Sequence, residues 1–230
     1  MTGPVPRSTD RAAGRAGGGA GGERPMAELA ALLERACAAA ERDGGPLVLW
    51  HRATARTWPG TADVADVAAW ERVLRRVERV DVPVVAVVVG ACSGPALETV
   101  LVADHRIAAV DARIGLPRER GRVWPGMVLH RLATHLGAAR ARSLAVRGTE
   151  LTAAQALQVG LVDEVTDDPA AALASVIADA GALAGGFATR RALLLDAAGR
   201  DYAAALAAHL AACDAELSEV DLPARVVSRL

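Results

Sequence analysis

The chain has 230 residues, 52% of them hydrophobic, and sets 26 basic against 27 acidic side chains for a net charge of −1. That length buries one sizeable core, and the near-neutral charge excludes the basic footprint of a nucleic-acid binder. No apolar run is long enough to span a membrane and the N-terminus lacks the apolar stretch of a secretion signal, so a soluble cytoplasmic protein is expected.

Residues 1–25 are rich in Gly, Arg and Ala and hold too few large apolar groups to offset the entropy of ordering, which predicts a disordered tail. Over 26–42, Leu29, Leu32, Leu33, Ala36, Cys37 and Ala40 share one helical face, and Gly44-Gly45-Pro46 ends the run. Leu47 to Trp50 reads as a short buried strand. A second helix is expected over about 64–80 from Val67, Trp70, Leu74, Val77 and Val80, followed by a strand, Val82 to Val89, apolar enough to be covered on both sides. Helix, strand, helix, strand is an α/β order.

After that strand comes Gly90-Ala-Cys-Ser-Gly-Pro-Ala-Leu-Glu98, with Pro95 suited to the first turn of a helix running to about Ala103. A buried strand, a glycine turn and a helix starting beside a carboxylate place backbone N–H groups and one acid around a small electrophile. Arg106 to Val110 is a further strand. Thr152 with Gln155 forms a capping-box signature, Gly160 closes that helix, and Leu161 to Val165 is the next strand. From 168 to 219 the pattern is Ala-rich and helical, interrupted at Gly185-Gly186 and Gly199.

Cys37, Cys92 and Cys213 are odd in number and far apart, which suggests neither a disulfide framework nor a zinc site. The histidines do not pair at ligand spacing; His130 and His135 fall on different helical faces. No metal is expected. All basic residues are Arg, which in so Ala- and Gly-rich a chain reads as codon bias.

Pro83-Val-Val-Ala-Val, Gly90, Gly94, Glu98, Asp104-His-Arg-Ile-Ala108, Ile114-Gly-Leu-Pro117 and Trp124-Pro-Gly126 occur in an order and spacing that resemble the crotonase (enoyl-CoA hydratase/isomerase) superfamily. Arg147 to Val165 is similar to a later segment of that family, and the resemblance covers about 26–170. It implies an α/β fold, the crotonase-like spiral of ββα units with C-terminal helices. The divisions expected are a tail over 1–25, a crotonase-like core over 26–167 and a helical region over 168–230 that serves oligomerisation. The family's opening strand has no counterpart. An acyl-CoA substrate is implied, with no cofactor beyond the coenzyme A thioester itself, together with a homotrimer or hexamer.

Family enzymes hold the thioester carbonyl with two backbone N–H groups. The gapless match to the first donor turn is Trp58-Pro-Gly-Thr-Ala-Asp63, which makes Ala62 one candidate; the alternative is an ordinary loop before a helix. The second donor position falls on Pro95, which has no N–H, so either Ala96 supplies it or the site has lost half its donors. Glu98 matches the first catalytic Glu, an acid or base, against the plain alternative of a capping or surface Glu. The family's second Glu is replaced by Arg118, with Glu119 next. Arg118 could pair with Glu98, bind a substrate carboxylate or face solvent.

Cys92 and Ser93 raise a different reading, since caseinolytic serine peptidases share this fold. A nucleophile needs a base, and position 118, where those enzymes carry His, is Arg. The reading favoured is hydration or dehydration of an acyl-CoA. Within the family, the missing strand and Val123-Trp-Pro-Gly-Met-Val-Leu-His-Arg-Leu132 look like the small hydratase-like proteins of 3,5-dihydroxyphenylglycine biosynthesis. Those assist a type III polyketide synthase that makes 3,5-dihydroxyphenylacetyl-CoA. The rival is a catalytically degenerate partner subunit, for which Pro95 and Arg118 speak and against which Glu98 speaks.

Overall fold

The computed structural model describes residues 25–52, 58–119, 121–182, 185–197 and 199–219; apart from Pro25, the expected tail lies outside the described residues. The chain divides into two compact units, Met1–Ala182 and Leu183–Leu230.

The first unit opens with α1 (Met26–Asp43), which buries Met26, Ala30, Leu33, Ala36 and Cys37 and stops at Gly44 in the left-handed conformation, φ 67°. Strand β1 (Leu47–Arg52) leads to α2 (Val64–Val77). The start of α2 is fixed by a capping box in which Asp63 accepts from the Asp66 N–H and Asp66 from the Asp63 N–H. The helix ends at Val77, short of the expected Val80, and β2 (Val84–Val89) begins two residues later than expected. Val80 and Val82 are buried in the connection, which is why their apolar character read as helix and strand.

From β2 the chain continues through β3 (Ala91–Cys92), α3 (Pro95–Val100), β4 (His105–Ala109) and β5 (Arg113–Ile114). A small hairpin, β6 (Arg118–Glu119) with β7 (Arg122–Val123), precedes α4 (Val128–Leu136) and α5 (Ala138–Arg147). Then come β8 (Leu151–Thr152), α6 (Ala153–Val159), β9 (Glu164–Thr166) and α7 (Pro169–Ala182). The Thr152–Gln155 capping box is present. Leu161 and Val162 are buried but not strand: the Leu161 N–H bonds back to the Ala156 carbonyl and the Gly160 N–H to that of Leu157, a Schellman stop that uses the first residues of the expected strand.

Strands β1, β2, β4 and β9 form a parallel sheet in that order. Beyond the carboxyl end of β2, β3 pairs parallel with β5, and β5 antiparallel with β8. Strand, short strand, helix, strand, short strand is the repeating turn of a ββα spiral.

One face of the main sheet, Leu47, Leu49, Val84, Ala86, Val88 and Ala108, enters the principal core with α1, α2 and α3. The other face, Val85, Val87 and Ile107, is covered by Ala172, Leu173 and Val176 of α7. Two-sided cover explains the unbroken apolar run of β2. It also makes α7 part of the first compact unit. The second unit contains α8 (Phe187–Ala197) and α9 (Tyr202–Glu219), separated near Gly199 as the sequence pattern predicts. Among the described residues no helix is long and apolar enough to cross a membrane.

Candidate active site

Helix α3 is six residues long and begins at Gly94, whose φ of 57° is a conformation that suits glycine. A Cβ on Gly94 would lie 3.0 Å from the Trp58 Cβ, so the bare Cα lets Trp58 settle against the first turn of α3. Pro95 is the first helical residue, where the missing N–H is tolerated. The helical bonding starts with the Glu98 N–H to the Gly94 carbonyl, which leaves the N–H groups of Ala96 and Leu97 as first-turn donors without an acceptor inside the helix. With proline at the first helical position, Ala96 is the first residue of α3 that has an N–H to offer.

Glu98 is 2% exposed. Its carboxylate is held by two indoles. Trp58 Nε1–H donates to Oε1 at 3.1 Å and Trp70 Nε1–H, from α2, donates to Oε2. The two rings pack edge-on, with centroids 5.5 Å apart and planes at 71°. Burial pushes the Glu98 pKa up to about 7, against the lowering effect of the Trp70 and Trp58 hydrogen bonds; Glu71 adds to the rise and Arg131 opposes it. A side chain taken from its ordinary range to neutrality is in the right place to give or take a proton near physiological pH.

Beyond the indoles, Arg131 acts on this carboxylate through its charge, and the next residue of α3, Thr99, meets His51. Arg131 on α4 is buried and donates from Nη1 to Glu71 and from Nε to Glu78, each at 2.9 Å, which ties α4 to the helix that carries Trp70. The Thr99 hydroxyl lies 3.1 and 2.9 Å from the Pro95 and Ala96 carbonyls, and His51 Nε2 of β1 lies 2.9 Å from it. Desolvation lowers the His51 pKa to about 4 and keeps the ring neutral. The neutral ring and the Thr99 hydroxyl share a hydrogen bond whose donor is set by the imidazole tautomer.

Ala62 is half-buried and directly precedes Asp63, the cap of α2. Its turn reaches Glu98 through Trp58. The structure thus brings Trp58 against Gly94 and Glu98 of the segment that carries Pro95 and Ala96, while Arg118 makes its contact elsewhere. Exposed at the hairpin, Arg118 donates from Nη2 to the Arg147 carbonyl at 2.6 Å and lies against Gly148 at the end of α5. It is a cation at a helix C-terminus, engaged with a carbonyl there. The Cys92 thiol is buried, with a pKa pushed up to about 12, which removes it as a nucleophile. Among the described residues no group of three or more His, Cys, Asp or Glu is placed to hold a metal ion.

A family model described as enoyl-CoA hydratase/isomerase matches residues 62–219. The chain belongs to the enoyl-CoA hydratase/isomerase family. A family relative from Amycolatopsis orientalis, described as an enoyl-CoA hydratase, is 39% identical over 203 residues, covering 85% of this chain and 93% of that protein. A solved enoyl-CoA hydratase from Thermoplasma volcanium shares the crotonase fold at a TM-score of 0.71 and 23% identity, over 84% of this chain and 83% of that one. A solved Pseudomonas aeruginosa structure superposes at 0.61 with 30% identity, over 79% and 86% of the two chains.

Sequence reasoning missed the partners of the acid in this family member. Trp70 read as a core residue of α2 and Trp58 as part of a loop. One signal was available: a buried indole N–H needs an acceptor, and Glu98 is an acid in an apolar segment. His51 had a weaker one, its place at the carboxyl end of a parallel strand, where ligand sites in α/β sheets gather.

Proposed function

We propose that this enoyl-CoA hydratase/isomerase family protein promotes addition or loss of water on an acyl-CoA thioester, with Glu98 as its acid/base group. The observation that carries the reading is a buried carboxyl brought to about 7 within the first turn of α3, beside first-turn N–H groups that have no helical acceptor. Proton exchange at a thioester's neighbouring carbons builds negative charge on the carbonyl oxygen, and preorganised N–H donors lower its energy. Ala96 and Ala62 are the donors assigned here. Glu98 moves the proton; no cofactor other than the coenzyme A of the substrate is needed.

Arg118 occupies the place of a second carboxylate and is engaged at the end of α5, so one carboxylate serves both directions of proton transfer. Turnover of crotonyl-CoA is accordingly expected below about 100 per second. Pro95→Gly, which adds an N–H at the first position of α3, should raise it.

The finer reading is assistance to a type III polyketide synthase, by loss of water from the cyclised intermediate on the way to 3,5-dihydroxyphenylacetyl-CoA. The similarity of Val123 to Leu132 to the proteins of that pathway supports it. A homotrimer or hexamer is proposed with it, because Leu194, Leu206, Leu210 and Leu217 are exposed on α8 and α9. The test is product formation from malonyl-CoA by such a synthase with and without this protein. Parent protein should increase the yield and Glu98→Gln should not. Equal stimulation by both would replace the catalytic reading by the partner-subunit reading, for which the diverted Arg118 speaks.

A further inference from the structure

We propose that Trp58 and Trp70 are positioning residues that hold Glu98 as an ionised carboxylate, one indole N–H on each oxygen, so that Glu98 enters the reaction as a base. This rests on the reading of Glu98 as the proton-transfer group and names what fixes its charge and direction.

The argument is one of donors and acceptors. An indole N–H donates and has no lone pair to accept with, whereas a protonated carboxyl must place its own proton on an acceptor. The Glu98 oxygens meet Trp58 Nε1 at 3.1 Å on one side and Trp70 Nε1 on the other. Two donors satisfy a carboxylate. A carboxylic acid can still accept from an indole, but neither indole can accept its O–H, so the pair favours the charged form over the neutral one.

The clamp is built from separate parts of the fold. Trp70 is fixed on α2, whose next residue, Glu71, is tied to Arg131 of α4. Trp58 rests on the bare Cα of Gly94 at the head of α3. The edge-on contact of the two rings sets the separation of the two N–H groups to match the two oxygens. The charged groups facing Glu98 are Glu71 from α2 and Arg131 from α4, opposite in sign; from β1, the neutral His51 meets the adjacent Thr99. Against burial, which favours the protonated form, the two indoles do most to favour the charged one.

The experiment follows the indole N–H signals of the four tryptophans by nitrogen-15 NMR as the full chain is titrated through neutral pH. Single Trp→Phe variants assign them, and Phe keeps the ring while removing the donor. The Trp58 and Trp70 signals should titrate together with a midpoint near 7 and stop doing so in Glu98→Gln. In Trp70→Phe, the Trp58 signal should titrate about one pH unit higher or more, and Trp58→Phe should give the mirror result at Trp70. The rising limb of kcat/KM against pH should move with it, an about ten-fold loss below the midpoint that recovers above it. Indole signals that ignore Glu98, or a midpoint that stays or falls when a donor is removed, overturn the proposal. A loss of rate equal at all pH values does so too, since it is what a packing role alone would give. If the indoles titrate as stated but no acyl-CoA is turned over, the clamp stands and the function proposed above fails.

Discussion

Replacing Glu98 by Gln should change how stability depends on pH by an amount the structure sets. The carboxyl goes from 4.5 in the open chain to about 7 in the fold, chiefly because burial disfavours its charge. Between those values the native state keeps a proton that the unfolded chain has released, so stability falls as pH rises. At about 1.36 kcal/mol for each pH unit, the loss from below 4.5 to above 7 is about 3 kcal/mol. Glu98 is almost fully buried, so solvent screening takes little from this figure.

His51 works in the opposite sense: with its pKa lowered from 6.5 to about 4, it contributes stability above 6.5 that is lost as pH falls through 4. The parent's profile is therefore flattened by two opposed slopes, and only the difference between parent and variant is diagnostic. Gln faces one indole with an amide that cannot accept, a penalty independent of pH that cancels from the slope. Urea unfolding of both proteins at a series of pH values, followed by circular dichroism, gives the two curves. Parent minus variant should fall by about 3 kcal/mol between pH 4.5 and 8. Parallel curves would refute the burial argument and, with it, the assignment of a neutral-range proton to this residue.

Arg131→Met removes the cation shared by Glu71 and Glu78 in a site where the Arg side chain is 8% exposed; breaking such a network from one side should cost about 3 kcal/mol in urea unfolding. A loss under about 0.5 kcal/mol would mean the pairs are solvated. Gly94→Ala puts a side chain at φ 57° with its Cβ 3.0 Å from that of Trp58. It should lower the melting temperature by several degrees and displace the Trp58 indole signal; an unchanged melting curve would show that Trp58 does not rest there.

The fold was legible wherever one periodicity dominated. Strand β2 and helices α1 and α2 announce themselves because each has an apolar set matched to a single covered surface. Val80, Val82, Leu161 and Val162 misled because burial alone does not distinguish a strand from a buried turn; what decides Leu161 is a backbone bond to Ala156, which no side-chain pattern encodes. In the site, Glu98, Pro95 and the turn at Ala62 follow from order and spacing along the chain. The contacts of Trp58, Trp70, Arg131 and His51 do not, because each is made across the fold by residues whose own segments look like ordinary core or surface. Arg118 illustrates the converse: its place in the sequence motif says nothing of a guanidinium turned toward the carbonyls that end α5.

The indole clamp also bears on how mutations can be tolerated. Removing the acid alone strands two buried N–H donors, each costing about 1–3 kcal/mol when unsatisfied, while removing either Trp alone leaves a buried carboxylate with half its partners. A single step away from Trp58, Trp70 or Glu98 therefore leaves unmatched buried polar groups as well as altering turnover, so the three are expected to change together. A descendant relieved of its chemistry would still have two buried indole N–H groups to satisfy, so folding alone would favour an acceptor at position 98.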